Sequence, residues 1–511
     1  MNHPRKRLHS RFPSALPNPS RRSHPAWFLA GVYALGAGCG TDASSSVESL
    51  RPLARAPALH CPSLAKKSAH ARREQDSAAA AATTESPSHT AVLANHLTVG
   101  RGGLLASDRA DYDQFGWSVA VSGDGFTTVV GAISASDATG GATTGNGAAY
   151  VFVRTLYAWS EQAKLIAGDK ADLDFLGSAV ALSRDGNTAL VGAPDKDDAG
   201  SGTVQSGAAY LFVRTGTTWK QQAKLVAKDP QDYDHFGAAV ALSADGNTAL
   251  ISSTWAGDAA RATIRNGAVY VFANSLSGWN QEARLVAKDR ATNDFFGISV
   301  SLSATGDTAL IGAYQTDDAA ARTANNGSAY LFERSPSGWV ERTKLTAADK
   351  TNGAYFGSAV SLSDSGNVAL IGAFGATDGP SSENGAAYIF GRSLAGFTQQ
   401  VKLLAPDRKY GDAFGITAAL SRDGRSAFIG APYHSDTDTE TGAVYMFEQR
   451  PGPGWLLRME LEPPVSTDYG HFGAAVGLSG DGRQALVGAP YAIDYGSPSP
   501  IYSGMGYMYI R

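Results

Sequence analysis

The sequence predicts an all-β protein, a seven-bladed β-propeller of four-stranded antiparallel blades closed by an N-terminal strand that completes the last blade. Three observations predict it. A Phe-Gly pair or a close relative recurs with its glycine at Gly116, Gly177, Gly237, Gly297, Gly357, Gly415 and Gly473, every 58 to 61 residues. Each interval holds four short apolar stretches separated by turn residues, and units of that kind stacked around an axis are propeller blades. The seventh unit has only three such stretches before Arg511, whereas an unassigned one precedes the first unit.

The elements follow in order within each unit. The first strand is an alternating run such as Phe236 to Ser243, where Gly, Ala and Ser fit a crowded axis that larger side chains would overfill. A hairpin turn follows at Asp124-Gly125, Asp185-Gly186, Asp245-Gly246, Thr305-Gly306, Ser365-Gly366, Asp423-Gly424 and Asp481-Gly482, because glycine takes the positive φ such turns need. The second strand ends in Gly-Ala-Pro at Gly192 to Pro194, Gly430 to Pro432 and Gly488 to Pro490, with partial matches elsewhere and Ser252-Ser253 in unit three. After a longer polar loop, the third strand begins Gly-Ala-Ala-Tyr or similar, with tyrosines at 150, 210, 270, 330, 388, 445 and 507. The fourth carries Trp159, Trp219, Trp279, Trp339, Phe397 or Trp455, and the reading for these rings is packing at the broad end of a blade. Before the first unit, Thr98 to Asp108 aligns with Trp159 to Asp169, so this segment is expected to supply the missing strand and cover an open sheet edge.

The Phe-Gly and Gly-Ala-Pro signatures resemble the FG-GAP repeat, the unit of the seven-bladed propeller in integrin α-chains and in many bacterial surface proteins. The resemblance covers about Ala94 to Arg511 and implies a fold more than an activity. Integrin-type propellers hold calcium in Asp-x-Asp-x-Asp-Gly loops between the first two strands. Here those turns are as short as Ser183 to Asn187 and lack the oxygen ligands, so Ca2+ has no integrin-type support and no cofactor is expected. The nearest approach is Ser435 to Gly442, with Asp436, Asp438 and Glu440 at alternate positions in a different loop.

Residues 1–38 read as a signal peptide: an arginine-rich start without acidic residues, then the apolar run Ala26 to Ala37. Leu35 to Gly40 resembles the lipobox of bacterial lipoproteins, which implies acylation at Cys39. Its aliphatic residue stands one place further from the cysteine than the pattern has it. The alternative is a disulfide between Cys39 and Cys61, the two cysteines of the chain. Residues 39–93, rich in Ala and Ser, show neither helical nor strand periodicity and are expected to form a disordered linker. Residues 94–511 are the propeller.

A formal net charge of -4 excludes the basic footprint of a nucleic-acid binder. No zinc spacing, phosphate loop or nucleophile elbow is present. Aspartates recur seven places before the Phe position (Asp108, Asp169, Asp229, Asp289, Asp349, Asp407), with Val465 in unit seven, and two places before it (Asp113, Asp174, Asp234, Asp294, Asp412). Such recurrence points to Asx turns or caps on free amides, with a cation-binding acidic ring as the alternative. Arg154, Arg214, Arg334, Arg392 and Arg450 are expected on the opposite face, solvated. His235 and His471, just before the Phe position, read as rim surface. Unit three is the most irregular, and Trp255, Arg261 and Arg265 are its candidate ligand contacts. The expected function is a secreted, lipid-anchored, non-catalytic surface binding or adhesion protein of the cell envelope, meeting the membrane only through its anchor and recognising a protein or glycan. The alternative is a polysaccharide-acting hydrolase or lyase, which requires unique polar residues to converge near the axis.

Overall fold

The computed structural model describes residues 98–99 and 103–511, apart from 100–102 and the loop positions 137–144, 157, 199, 259–262, 319, 321, 378–383, 436–438, 453 and 497–499. The signal segment, Cys39, Cys61, the linker and Arg261 lie outside the described residues, as do Asp436 and Asp438. Among the described residues no helix is long and apolar enough to cross a membrane.

Seven four-stranded antiparallel sheets are present. Blade one runs Phe115–Val121, Thr127–Ala132, Ala148–Arg154 and Trp159–Leu165 from the axis outward. Blades two to six repeat that order. Blade seven takes Ala475–Leu478, Gln484–Ala489 and Met505–Ile510 from the tail of the chain and Thr98–Val99 from its head. Thr98 pairs with Ile510 and Val99 with Tyr509, while Leu104 bridges Gly506 as Leu165 pairs with Ala149 in blade one. The expected closure is thus the observed one.

A ring of backbone hydrogen bonds counts the blades. In the turn after each first strand, one amide donates to the equivalent carbonyl of the next blade. The series runs Gly123 to Arg184, Arg184 to Ala244, Ala244 to Ala304, Ala304 to Asp364, Asp364 to Arg422, Arg422 to Gly480 and Gly480 back to Gly123, at 2.8–3.2 Å. Seven donors meet seven acceptors, so the circle closes without an orphan.

The two glycine signatures have one steric cause. A Cβ on Gly131 would lie 2.1 Å from the carbonyl oxygen of Gly177 in the next blade, and one on Gly372 would lie 1.9 Å from that of Gly415. The Gly-Ala-Pro glycine of one blade therefore touches the Phe-Gly glycine of its neighbour. Side chains would crowd the blades at these junctions; blade three, with Ser252 at the equivalent position beside Gly297, is the exception.

The second and third strands form the core, and both are buried along most of their length. Each Phe packs edge-on against aromatic residues of its own third strand, as Phe115 does against Tyr150 and Phe152 at 5.6 and 5.8 Å. The outer rings Trp159, Trp219, Trp279, Trp339, Phe397 and Trp455 lie half-buried against these clusters, which bears out their packing role.

Candidate binding face

Antiparallel order puts the loops between second and third strands beside the crossings that lead from one blade's fourth strand to the next blade's first. Backbone bonds join them: the amides of Tyr112, Tyr233, Asn293, Gly353 and Tyr469 donate to the carbonyls of Tyr502, Val204, Ile264, Ala324 and Thr439 at 2.8–3.1 Å. This is one continuous face.

Two carboxylates organise each crossing, and they do different work. Asp113, Asp174, Asp234, Asp294 and Asp412 each accept the amide three residues earlier, at 2.6–2.9 Å, which fixes the turn as expected of a local side-chain acceptor. Burial raises the carboxyl groups of Asp113, Asp234 and Asp294 to about 6. The earlier aspartates are structural too, but they act through side chains of the third and fourth strands. Asp108 accepts the Tyr150 hydroxyl at 2.9 Å and the Lys164 ammonium at 2.7 Å, tying the third and fourth strands to the crossing.

The same node recurs as Tyr210, Asp169 and Lys224, as Tyr330, Asp289 and Lys344, and as Tyr388, Asp349 and Lys402. Burial pushes up the carboxyl groups of Asp108, Asp169, Asp289 and Asp349, but the lysine and tyrosine hydrogen bonds outweigh it and leave them below the ordinary aspartate value. In blade three, Arg284 replaces lysine, bonding Tyr270 and pairing with Asp229 at 3.3 Å. Blade seven has no such node, since Val465 stands at the aspartate position and Tyr507 donates to Met505.

The residue three places before each Phe position is left-handed in all seven crossings, with φ of 58–85°. Blades four, five and six fill it with Asn293, Gly353 and Gly411, residue types that accept positive φ at little cost. Blades seven, one, two and three instead place Tyr469, Tyr112, Leu173 and Tyr233 there, exposed by 57, 59, 55 and 51%. Those four blades are contiguous around the ring. Exposed Tyr502, Val204 and Ile264 flank this arc, and Tyr502 stacks on Tyr112 with ring centroids 5.9 Å apart.

Trp255 and Arg265 meet beside the arc, the guanidinium 4.3 Å above the indole centroid. Trp255 is half-buried and Arg265 exposed. Under Trp255 lies His235, ring to ring at 4.8 Å, with its Nδ1 3.1 Å from Asp195. His235 is therefore buried and not rim surface, because the left-handed residue before each Phe turns its side chain inward between blades. His471 is half-buried between Tyr433 and Tyr491, at 4.9 and 5.0 Å, with its Nε2 3.3 Å from Glu440. Of the supposed calcium loop, only Glu440 is described among the three acidic residues.

On the opposite face Arg334, Arg392 and Arg450 are exposed, as expected of solvated arginines, and Arg154 and Arg214 are partly so. Arg214, Arg334 and Arg392 lie over Trp219, Trp339 and Phe397, at 5.3–5.9 Å, while Arg154 lies 5.9 Å from the Phe126 centroid. At the axis on this face, Arg184 and Arg422, at two of the seven equivalent turn positions, both pair with Asp364 at a third, the latter at 2.7 Å.

The sequence profile of the FG-GAP repeat family matches residues 101–152, 159–212, 219–272, 279–332, 339–390 and 397–447. Each matched unit starts at a fourth strand and ends on a third, so the repeat in sequence is offset from the blade in space. No curated protein matches the chain.

Proposed function

The chain belongs to the FG-GAP repeat family, and from that premise we propose that it is a secreted, lipid-anchored surface protein that binds a protein or glycan through its crossing face, without catalysis. The family and fold support a binding-type scaffold, with rigid blades carrying variable loops. One observation carries the finer reading. Four neighbouring blades hold bulky apolar side chains, solvent-exposed, at a left-handed backbone position where three other blades use Asn or Gly. A tyrosine there costs conformational energy and gains little from burial within the chain. A bound partner supplies the missing burial, and Trp255 with Arg265 extends the surface with residue types that dominate interfaces. Acylation at Cys39 would leave residues 40–93 as the tether between membrane and propeller.

The test is a glycan and protein array probed with the full chain, repeated with a Tyr112→Ala/Tyr233→Gly variant. A ligand bound by the parent and lost by the folded variant supports the reading; ligand binding indifferent to both changes removes it. Mass spectrometry of the mature N-terminus decides acylation at Cys39. A second reading, a polysaccharide-acting hydrolase or lyase, draws on the convergence of Arg184, Asp364 and Arg422 at the axis. Polysaccharide cleavage abolished by Asp364→Asn would favour it.

A further inference from the structure

Blade six breaks the node that five other blades share. Register places Lys164, Lys224, Arg284, Lys344 and Lys402 opposite the third-strand tyrosine, and places Glu460 opposite Tyr445. Tyr445 still donates to Asp407, at 2.9 Å, so the node now holds two carboxylates and has lost its lysine. A second change accompanies the first. Three residues after the Gly-Ala alanine, where the turn amide bonds back to that residue's carbonyl, the other blades carry Ala135, Lys196, Ala256, Thr316, Ala376 and Ala492; blade six carries His434.

His434 is buried, and its two ring nitrogens face different groups. Nδ1 lies 3.0 Å from Asp412 Oδ2, the turn-fixing carboxylate already described. Nε2 lies 3.7 Å from Asp407 Oδ2 and 3.8 Å from Glu460 Oε1. One donor atom from each of Asp407, His434 and Glu460 falls within 4.8 Å of the others. Ligands about 2.0–2.2 Å from a tetrahedral zinc ion sit roughly 3.4 Å apart, so a modest side-chain adjustment brings these atoms to coordinating positions. A carboxylate on the far nitrogen of a ligating imidazole is the arrangement that fixes the tautomer and orients the ring. Asp407 and Glu460 are partly exposed, which leaves room for water at the fourth position.

We propose that blade six replaces the lysine of its sister blades with a divalent zinc ion held by Asp407, His434 and Glu460, with Asp412 positioning the imidazole. The donor set decides the metal class: one imidazole and two carboxylates suit zinc, whereas calcium takes six to eight oxygens. The node keeps its mechanical role. The ion supplies the positive charge that links the fourth strand to the crossing, and the same two substitutions account for the lost lysine and the added histidine.

The proposal is tested with the purified full chain and Zn2+ alone, by calorimetric titration and by metal analysis after dialysis, and with Co2+ for the absorption bands of nitrogen ligation. The expected result is one zinc per chain at micromolar affinity or tighter, and about 10–100-fold weaker binding in Asp412→Asn. His434→Ala should abolish binding. Glu460→Lys restores the node of the other blades; it should fold without metal, melt at or above the metal-free parent, and bind no zinc. A parent chain that takes up no zinc overturns the proposal, since protonated His434 would then be the cation of the node. Wild-type affinity in Glu460→Lys overturns it as well.

Discussion

Blade one and blade six share a backbone, a tyrosine and both crossing aspartates, and differ at the node in two residues. Blade one has Ala135 and Lys164; blade six has His434 and Glu460. In blade one the Asp108 carboxylate accepts both a hydroxyl and an ammonium. In blade six burial and the neighbouring Asp407 raise the Glu460 carboxyl to about 7. The comparison teaches that the node is a charge balance and not a fixed set of residues. On the proposal above, zinc is the cation that offsets the inverted member.

The largest effect should come from converting blade one halfway. Lys164→Glu places two carboxylates at the node with no compensating group, and should lower stability by on the order of 1–2 kcal/mol, less than for a fully buried pair because Asp108 is half exposed. Thermal unfolding reads this. Completing the conversion sharpens the comparison: Lys164→Glu with Ala135→His, beside the native Asp108 and Asp113, should recover the loss when zinc is added and raise the metal content from one to two per chain. A double variant that stays destabilised in excess zinc breaks the equivalence of the two nodes.

The next effect separates the two aspartates of blade one by pH. The Asp113 carboxyl is raised from 3.8 to about 6 by burial, so the folded state holds its proton more tightly than the unfolded chain. Its contribution is full below about pH 4 and is lost as pH rises through 6. Asp113→Asn should therefore gain stability relative to the parent between pH 4.5 and 7.5, on the order of 1 kcal/mol. Asp108 is lowered, so its contribution is present above pH 3.8 and disappears as pH falls through the folded value. Asp108→Asn should cost most at neutral pH. Parallel pH profiles for the two variants would contradict the assignment.

The smallest effect on stability belongs to the arc. Tyr233→Gly should leave the melting temperature unchanged or raise stability by about 0.5–1 kcal/mol, since glycine takes φ of 65° without strain. Ligand binding should fall in the same variant. A large loss of stability would mean that Tyr233 is held there by the fold itself.

Much of the fold was legible because each blade repeats the same local chemistry. The glycine pairs recur because two backbones touch at six of the seven blade junctions, Ser252 standing at the seventh, and the turn glycines because every first hairpin needs positive φ. The candidate contacts were half legible. Trp255 and Arg265 stood out because unit three departs from its sisters, whereas Tyr112, Leu173 and Tyr233 looked ordinary until their exposure and left-handed backbone were known. His235 was misread as rim surface because variability at a position also arises where side chains pack into unequal gaps between blades.

The sequence by itself determined the number of blades, the order of strands and the shared last blade, since periodicity and turn residues act within one unit or between neighbours. The tertiary structure alone decided which distant groups meet. Asp407, His434 and Glu460 lie on a crossing, a loop and an outer strand, at separations that match no short metal motif, and only radial packing brings their donor atoms together. A visible trace did exist in the run Lys, Lys, Arg, Lys, Lys, Glu opposite successive tyrosines. Its meaning required the register, because charge balance depends on distance in space and not on spacing along the chain.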